Sequence, residues 1–243
     1  MQIHLINLDR STERLAEFTA RNRHLSDVTR FTAIDGRQAD RGALVAQGII
    51  GPDLGYTDGA LGNCLSHLAL WERVIAGDKS LTICEDDAIF NRGFERDAAA
   101  LINSLSADWH MIFWGWNFDA GALFELLPGV SPFLAQFDQH QMRNGIERFQ
   151  AADVRPRAFR LLAAFGIVCY SISSAGARLL QSMLLPVRAT PVDVPASGQR
   201  FANADLSIAL LDALPKIRAF ASFPPLVITK NDHASSTVLP AQV

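Results

Sequence analysis

An α/β fold, with a largely parallel sheet and helices on both faces, is predicted from three observations. Short apolar, β-prone runs alternate with helical patterns along most of the chain, which is the rhythm of strand-helix-strand units. Several of those runs end abruptly at an acid or a glycine, as strands do where they feed a turn. With 243 residues, 49% hydrophobic and 19% charged, the chain can also bury the core such a fold needs.

Residues 3 to 8 cluster apolar side chains as a strand does, and Asp9, Arg10, Ser11 and Thr12 then break the pattern. Ser11 or Thr12 is positioned to cap a helix through about Asn22, with Leu15 and Phe18 on its inner face. A second strand over 29–34 ends at Asp35-Gly36. From Arg37 to Gly59 only a short helix near Ala43 to Gln47 is legible. The clearest helix spans 61–76 and is bounded by Gly77; Leu65, Leu68, Leu70, Trp71, Val74 and Ile75 cover most of its circumference, so it is buried on more than one side.

A strand over 81–84 runs into Glu85-Asp86-Asp87. A helix from about Gly93 to Leu105 and a strand from His110 to Gly115 follow. From Phe118 to Arg160 the periodicity lapses among Phe, Pro, Gly, Gln and Arg, and this section is predicted to be an irregular insert or lid on the acceptor side. Ala164 to Ile172 is the next strand. Ser173-Ser174 caps a helix that ends before Pro186, Asn203 caps another through Leu214, and a last strand covers 217–223.

The charge in this chain is most concentrated at Glu85-Asp86-Asp87. Ligands of open α/β sheets bind outside the carboxyl ends of strands, and three crowded acids repel one another unless a cation compensates. A hard divalent ion, Mg²⁺ or Mn²⁺, is the natural candidate; a solvated acidic turn is the plainer alternative. His67, on the buried helix, reads by itself as a hydrogen-bonded core residue. Arg155, Pro156, Arg157 and Arg160 can meet an anionic acceptor or a membrane surface, or form an ordinary solvated face. Asp205 sits in the first turn of its helix, where the dipole favours a carboxylate with or without a chemical role.

A net charge of -3 gives no basic footprint for nucleic acid. Cys64, Cys84 and Cys169 are far apart and lack zinc-type spacing, so no disulfide framework or structural zinc is expected. Met1 to Ile6 is too quickly interrupted by Asn7, Asp9 and Arg10 to act as a signal peptide, and no run reaches membrane-spanning length. A cytoplasmic protein in a reducing compartment is expected.

Taken in order, the motifs resemble those of glycosyltransferase family 25, the bacterial lipooligosaccharide galactosyltransferases and their collagen-modifying relatives. The matching stretches are Ile6-Asn7-Leu8-Asp9-Arg10 with Arg14, Ala33-Ile34-Asp35-Gly36, Gly62-Asn63-Cys64-Leu65-Ser66-His67 and Glu85-Asp86-Asp87. Looser matches are Phe165 to Ser173, Pro191-Val192-Asp193 and the tail after Pro225. The resemblance implies one GT-A domain over 1–243, with a Rossmann-like sheet, a divalent metal (Mn²⁺ or Mg²⁺) and a UDP-sugar donor. It implies transfer of a hexose, galactose foremost, to a saccharide or glycolipid acceptor of lipopolysaccharide or another surface glycan, with peripheral inner-membrane association as a further expectation.

The same resemblance assigns roles. Asp87 is the expected metal ligand, with His233 or Asp232 closing the shell, and Glu85 takes the ribose side. Asn7, Asp9 and Asp35, with Gly36, line the nucleoside pocket, and Arg10 and Arg14 hold uracil or diphosphate oxygens. Ser66 and His67 face donor or acceptor, while Asp86 belongs to the donor site without an assigned task. Asp193 and Asp205 are both candidates for the base of an inverting transfer. Two other readings compete: a nucleotide-sugar-binding protein of the same fold without turnover, and a metal-dependent phosphohydrolase, for which the additional His and Asp ligands are scarce.

Overall fold

The computed structural model describes residues 1–118, 120–193 and 199–230. Its strands, in chain order, are β1 (Ile3–Asn7), β2 (Val28–Thr32), β3 (Leu81–Glu85), β4 (Ala88–Phe90), β5 (Met111–Gly115), β6 (Ala122–Leu127) and β7 (Ser131–Ala135). They continue with β8 (Arg157–Ala163), β9 (Cys169–Ile172), β10 (Val192–Asp193), β11 (Arg200–Phe201), β12 (Ala219–Phe223) and β13 (Val227–Thr229). The helices are α1 (Thr12–Arg21), α2 (Arg41–Ala46), α3 (Asp58–Gly77), α4 (Phe94–Ser104), α5 (Gln139–Asn144), α6 (Ile146–Ala151), α7 (Ser174–Leu184) and α8 (Leu206–Ala213).

A nine-stranded sheet in the order β2-β1-β3-β9-β5-β12-β8-β6-β7 forms the centre. The pairs β1·β2, β1·β3 and β5·β12 are parallel. By the chain of pairings, β6 also runs in their direction, whereas β9, β8 and β7 run against it. The α/β architecture is therefore as predicted, its sheet mixed, with six of the nine strands running one way.

Strand alternation divides the core in two. Ile6, Ile83, Met111, Phe113, Tyr170 and Ile172 face α3 and α7. Leu5, Cys84, Ile112, Trp114 and Cys169 face the side of Phe18 on α1 and Phe94 on α4. The described cysteines are all free and buried.

Four boundaries differ from expectation. The section over 118–160 is not irregular, since it holds β6, β7, α5, α6 and the start of β8; its antiparallel strands are short and its phenylalanines pack among themselves, which leaves no helical or sheet-wide period to read. The strand expected over 164–172 is only β9, because Gly166 turns the chain at φ +76 and β8 ends before it. Asp205, not Asn203, caps α8 by accepting from the Ile208 amide at 3.1 Å. At the end of α3 the left-handed residue is Asp78 (φ 48) rather than Gly77.

Candidate active site

Two neighbouring parallel strands, β1 and β3, end side by side, with Ile6 in register with Glu85. Asn7 is the last residue of β1 and is buried. Its side-chain amide donates to Asp86 Oδ2 at 2.8 Å and to the Ser11 carbonyl at 3.1 Å, so it ties the turn before α1 to the acidic loop. Its carbonyl groups in turn accept from Arg30 on β2, which also reaches Asp9 at 2.6 Å. From the first turn of α1, Arg14 donates Nε to Asp86 Oδ1 at 2.7 Å and forms an ion pair with the same carboxylate.

The three acids do not share one partner. Glu85 turns to the α3 face, where Asn63 donates to its Oε1 at 2.7 Å and His67 Nε2 lies 3.6 Å away. Asp86 turns to Asn7 and Arg14. Asp87 accepts from Thr229 of β13 at 2.9 Å through Oδ2, while its Oδ1 is buried with no hydrogen-bond partner among the described residues.

These surroundings separate the acids electrostatically. Burial and the nearby charge of Glu85 push the Asp87 carboxyl up to about 6, against the pull of Arg14 and the Thr229 bond. Burial also opposes ionisation of Glu85, but His67, Asn63 and Arg14 outweigh it and hold the carboxyl low. Arg14 is likewise penalised by burial, yet Asp86, Asp87 and Glu85 raise its pKa. The result is one readily ionised acid, one acid paired with Arg14 and one acid in which burial and Glu85 outweigh the pull of Arg14.

An open cleft of about 630 Å³ lies at the ends of β1 and β2, lined by Leu8, Asp9, Arg10, Ile34, Asp35 and Arg37, among others. Asp35 is clamped by Arg37 through two nitrogens and by Arg10. The Arg37 bonds, with the charge of Arg10, bring its pKa down to about 2.

Gly36, Ser66 and Gly62 explain why this loop lies where it does. Ser66 Oγ accepts from the Ile34 amide at 2.8 Å and donates to the Gly62 carbonyl at 2.7 Å. A Cβ on Gly36 would stand 1.9 Å from the Asp58 carbonyl oxygen, and one on Gly62 would stand 2.4 Å from that of Ile34. The loop thus rests on the backbone of α3. Ser66 is fully buried and straps the loop to α3 through these two bonds.

His67 is also fully buried, with Nδ1 on the Tyr170 hydroxyl at 2.8 Å; that hydroxyl accepts from Trp71 Nε1 at 2.8 Å. Among the described residues its contact with the acidic loop is the one with Glu85. Asp205 accepts through Oδ1 from Ser207 at 2.6 Å and from Ile208. Its charge is felt at Tyr56 and at Cys64, the neighbour of Asn63 on α3, whose pKa values burial raises first and Asp205 raises further.

Asp193, by contrast, is exposed in the β10·β11 hairpin with Arg200 at 3.5 Å, and no bond among the described residues joins it to the acidic loop. His233 and Asp232 lie outside the described residues. Asn63, Arg30, Arg37 and Thr229 were missed from sequence. Asn63 alone carried a signal, standing four residues before His67 on one helix face.

Residues 1–195 match the model of glycosyltransferase family 25, described as LPS biosynthesis protein. Two curated proteins, each named "Glycosyltransferase 25 family member", come from Anopheles gambiae and Aedes aegypti; each is 31% identical over 125 residues, covering 46% of this chain and 21% of the relative. The match therefore spans about a fifth of those relatives' length.

Among solved structures, the inositol-1-phosphate CTP transferase from T. maritima aligns at TM-score 0.42 and 12% identity, over 99% of this chain and 92% of that one. A197 from STIV aligns at 0.38 and 9%, over 100% and 99%. The family model takes in β1, the Gly62 to His67 segment of α3, the acidic loop and Asp193, and the chain belongs to glycosyltransferase family 25.

Proposed function

We propose that this chain is a GT-A-type, metal-assisted transferase. It moves a hexose, galactose foremost, from a UDP-sugar to a saccharide acceptor of lipopolysaccharide or another surface glycan, with inversion. The observation that carries the reading is the buried Asp87 Oδ1, which has no hydrogen-bond partner among the described residues, in the loop that follows β3; the cleft rimmed by Arg10, Asp35 and Arg37 at the ends of β1 and β2 supports it.

Among the described residues no three His, Cys, Asp or Glu side chains gather into a metal cage. A cage is not what Mg²⁺ or Mn²⁺ requires in such a site: the ion is commonly held by one or two carboxylates together with substrate phosphates. The orphaned Asp87 Oδ1 fits that donor set, and His233 is the further ligand proposed. Bound there, the ion would neutralise charge on the departing diphosphate.

The chain's own groups do the rest. Arg10 and Arg37 hold Asp35 in place at the cleft wall, where it and Asp9 can accept from the nucleoside. Arg14 keeps Asp86 turned away from Asp87 and adds positive charge near the leaving group. Glu85, fixed by Asn63, stands ready to accept from a ribose hydroxyl. Asp205 is the preferred base, because its bonds among the described residues fall on Oδ1 and its charge reaches α3. Its Oδ2 would take the acceptor hydroxyl proton as the acceptor oxygen bonds to the anomeric carbon and the bond from that carbon to the diphosphate breaks on the opposite face.

A thermal-shift panel of UDP-, GDP- and CDP-sugars with and without Mn²⁺ tests the donor class, since ligand stabilises the folded state by mass action. Metal-dependent stabilisation by UDP-sugars is expected. Absence of any response would overturn the reading, and metal-dependent UDP-sugar binding with no UDP release in acceptor mixtures would favour a binding protein without turnover.

A further inference from the structure

The β6-β7 hairpin stands at the edge of the central sheet and is unusually apolar where it meets solvent. Leu126 is 50% exposed, Leu127 54%, Val130 79%, Phe133 42% and Leu134 60%. Phe133 and Leu134 are consecutive in the regular part of the β6·β7 ladder and leave β7 on opposite faces, so this outer strand exposes apolar surface on both faces, and the irregular step between Glu125 and Leu127 adds Leu126 and Leu127 to it. The β6·β8 ladder stops at Glu125 paired with Arg160, and the hairpin continues past it.

The turn is well defined. Val130 donates its amide to the Leu127 carbonyl at 3.0 Å, and Gly129 takes φ +72 after Pro128, the geometry of a Pro-Gly type II turn. A rigid turn thus holds Leu127 and Val130 out in water, which is costly unless something apolar receives them.

Two features identify the partner. Pro132 lies on the outer strand, paired with Glu125, and removes an amide from the edge, which disfavours addition of a strand from another chain. A projecting ribbon, apolar on both faces, also suits a fluid medium that surrounds it better than a flat protein face. The nearby cations match an anionic surface. Arg157 begins β8 opposite Phe223, whose ring packs on Phe133 at 6.3 Å. Arg155 is two residues earlier, its side chain 89% exposed and 3.7 Å from Asp153.

We propose that the 126–134 hairpin is an interfacial anchor. Its apolar tip seats at the boundary between headgroups and acyl chains of an anionic phospholipid bilayer, with Arg155 and Arg157 at the headgroup level. This docking does not depend on the transferase reading, and it needs no spanning segment: among the described residues no helix is long and apolar enough to cross a membrane.

Cosedimentation of the full chain with phosphatidylcholine vesicles, with and without phosphatidylglycerol, tests it. Binding to the phosphatidylglycerol vesicles is expected, falling by about tenfold or more in Leu127→Ser/Val130→Ser and weakening in Arg155→Glu/Arg157→Glu and in high salt. Both double variants change exposed residues and should melt as the wild type does. In Val130→Trp, tryptophan emission should shift to the blue on vesicle binding.

Failure to bind anionic vesicles, or binding indifferent to Leu127→Ser/Val130→Ser, would overturn the proposal. A concentration-dependent dimer in sedimentation that the same double variant dissolves would also overturn it, assigning the patch to a second copy of the chain.

Discussion

Glu85 closes β3 while Asp86 and Asp87 lie in the turn before β4, and the three side chains part company there. The run of three acids was legible in the sequence, as were the arginines near it, but their division among Asn63, Arg14 and Thr229 was not, because it depends on which residues 20 to 140 positions away arrive at each face. Asp87→Asn is expected to abolish the Mn²⁺-dependent part of UDP-sugar stabilisation in a thermal-shift assay; an unchanged metal response would remove Asp87 from the metal site. Asp205→Asn should retain the helix cap and donor binding while turnover falls by at least about a hundredfold. Asp193→Asn should stay active, and the reverse pattern in a UDP-release assay would move the base to Asp193. His4 is buried, with neither ring nitrogen bonded among the described residues. Burial first, and Arg73 second, lower its pKa, with Asp27 opposing. A lowered folded-state value means the unfolded chain binds the proton more tightly, so stability present above the ordinary histidine value of about 6.5 is lost as pH falls through the window below it. His24 and His110 are shifted in the same direction. Urea midpoints at about pH 7.5 and 5.5 should therefore differ less in His4→Leu than in wild type.

Helix α3 organises the site at the next scale, and its glycine spacing matters more than its helix propensity. Glycine to alanine inside a helix ordinarily stabilises by up to about 1 kcal/mol. At Gly62 the sign should invert, because the new Cβ would meet the Ile34 carbonyl and push the Asp35 loop off α3; a loss of about 2 kcal/mol or more is expected. Gly77→Ala has nothing within 4 Å and should be neutral or stabilising. Denaturant unfolding of the pair checks both, and a stabilising Gly62→Ala would show that the loop yields at little cost. Elements with a strong period, α1, α3, α4, α7 and the buried strands, were readable from apolar spacing. The β6-β7 hairpin and β8 were not, since their sequence mixes Pro, Gly and exposed apolar residues whose placement follows from partners across the sheet. The cap of α8 was misplaced by two residues because Asn203 and Asp205 are both good caps; Asn203 is instead held by the Tyr56 hydroxyl and the Arg188 carbonyl.

Across the whole molecule, one sheet runs from β2 at one edge to β7 at the other, so the strands β1 to β3 and the strands β6 to β8 share a continuous hydrogen-bonded ladder. A single cooperative thermal transition, coincident by far-ultraviolet circular dichroism and tryptophan fluorescence, is expected; two separated transitions would make the β6-β7-β8 section an independent unit. The sequence by itself determined the α/β class, most elements and the ends of β1 and β3 as the place where charge collects. These follow from local periodicity and turn chemistry, which depend on neighbours a few residues apart. That β9 runs against β3 and β5, that Ser66 straps a loop, that Asp205 sits near α3, and that Asp87 Oδ1 has no hydrogen-bond partner among the described residues emerge from the folded chain alone. Each of those rests on contacts between residues distant in the chain, where burial and opposing partners, not local pattern, set the geometry and the charge.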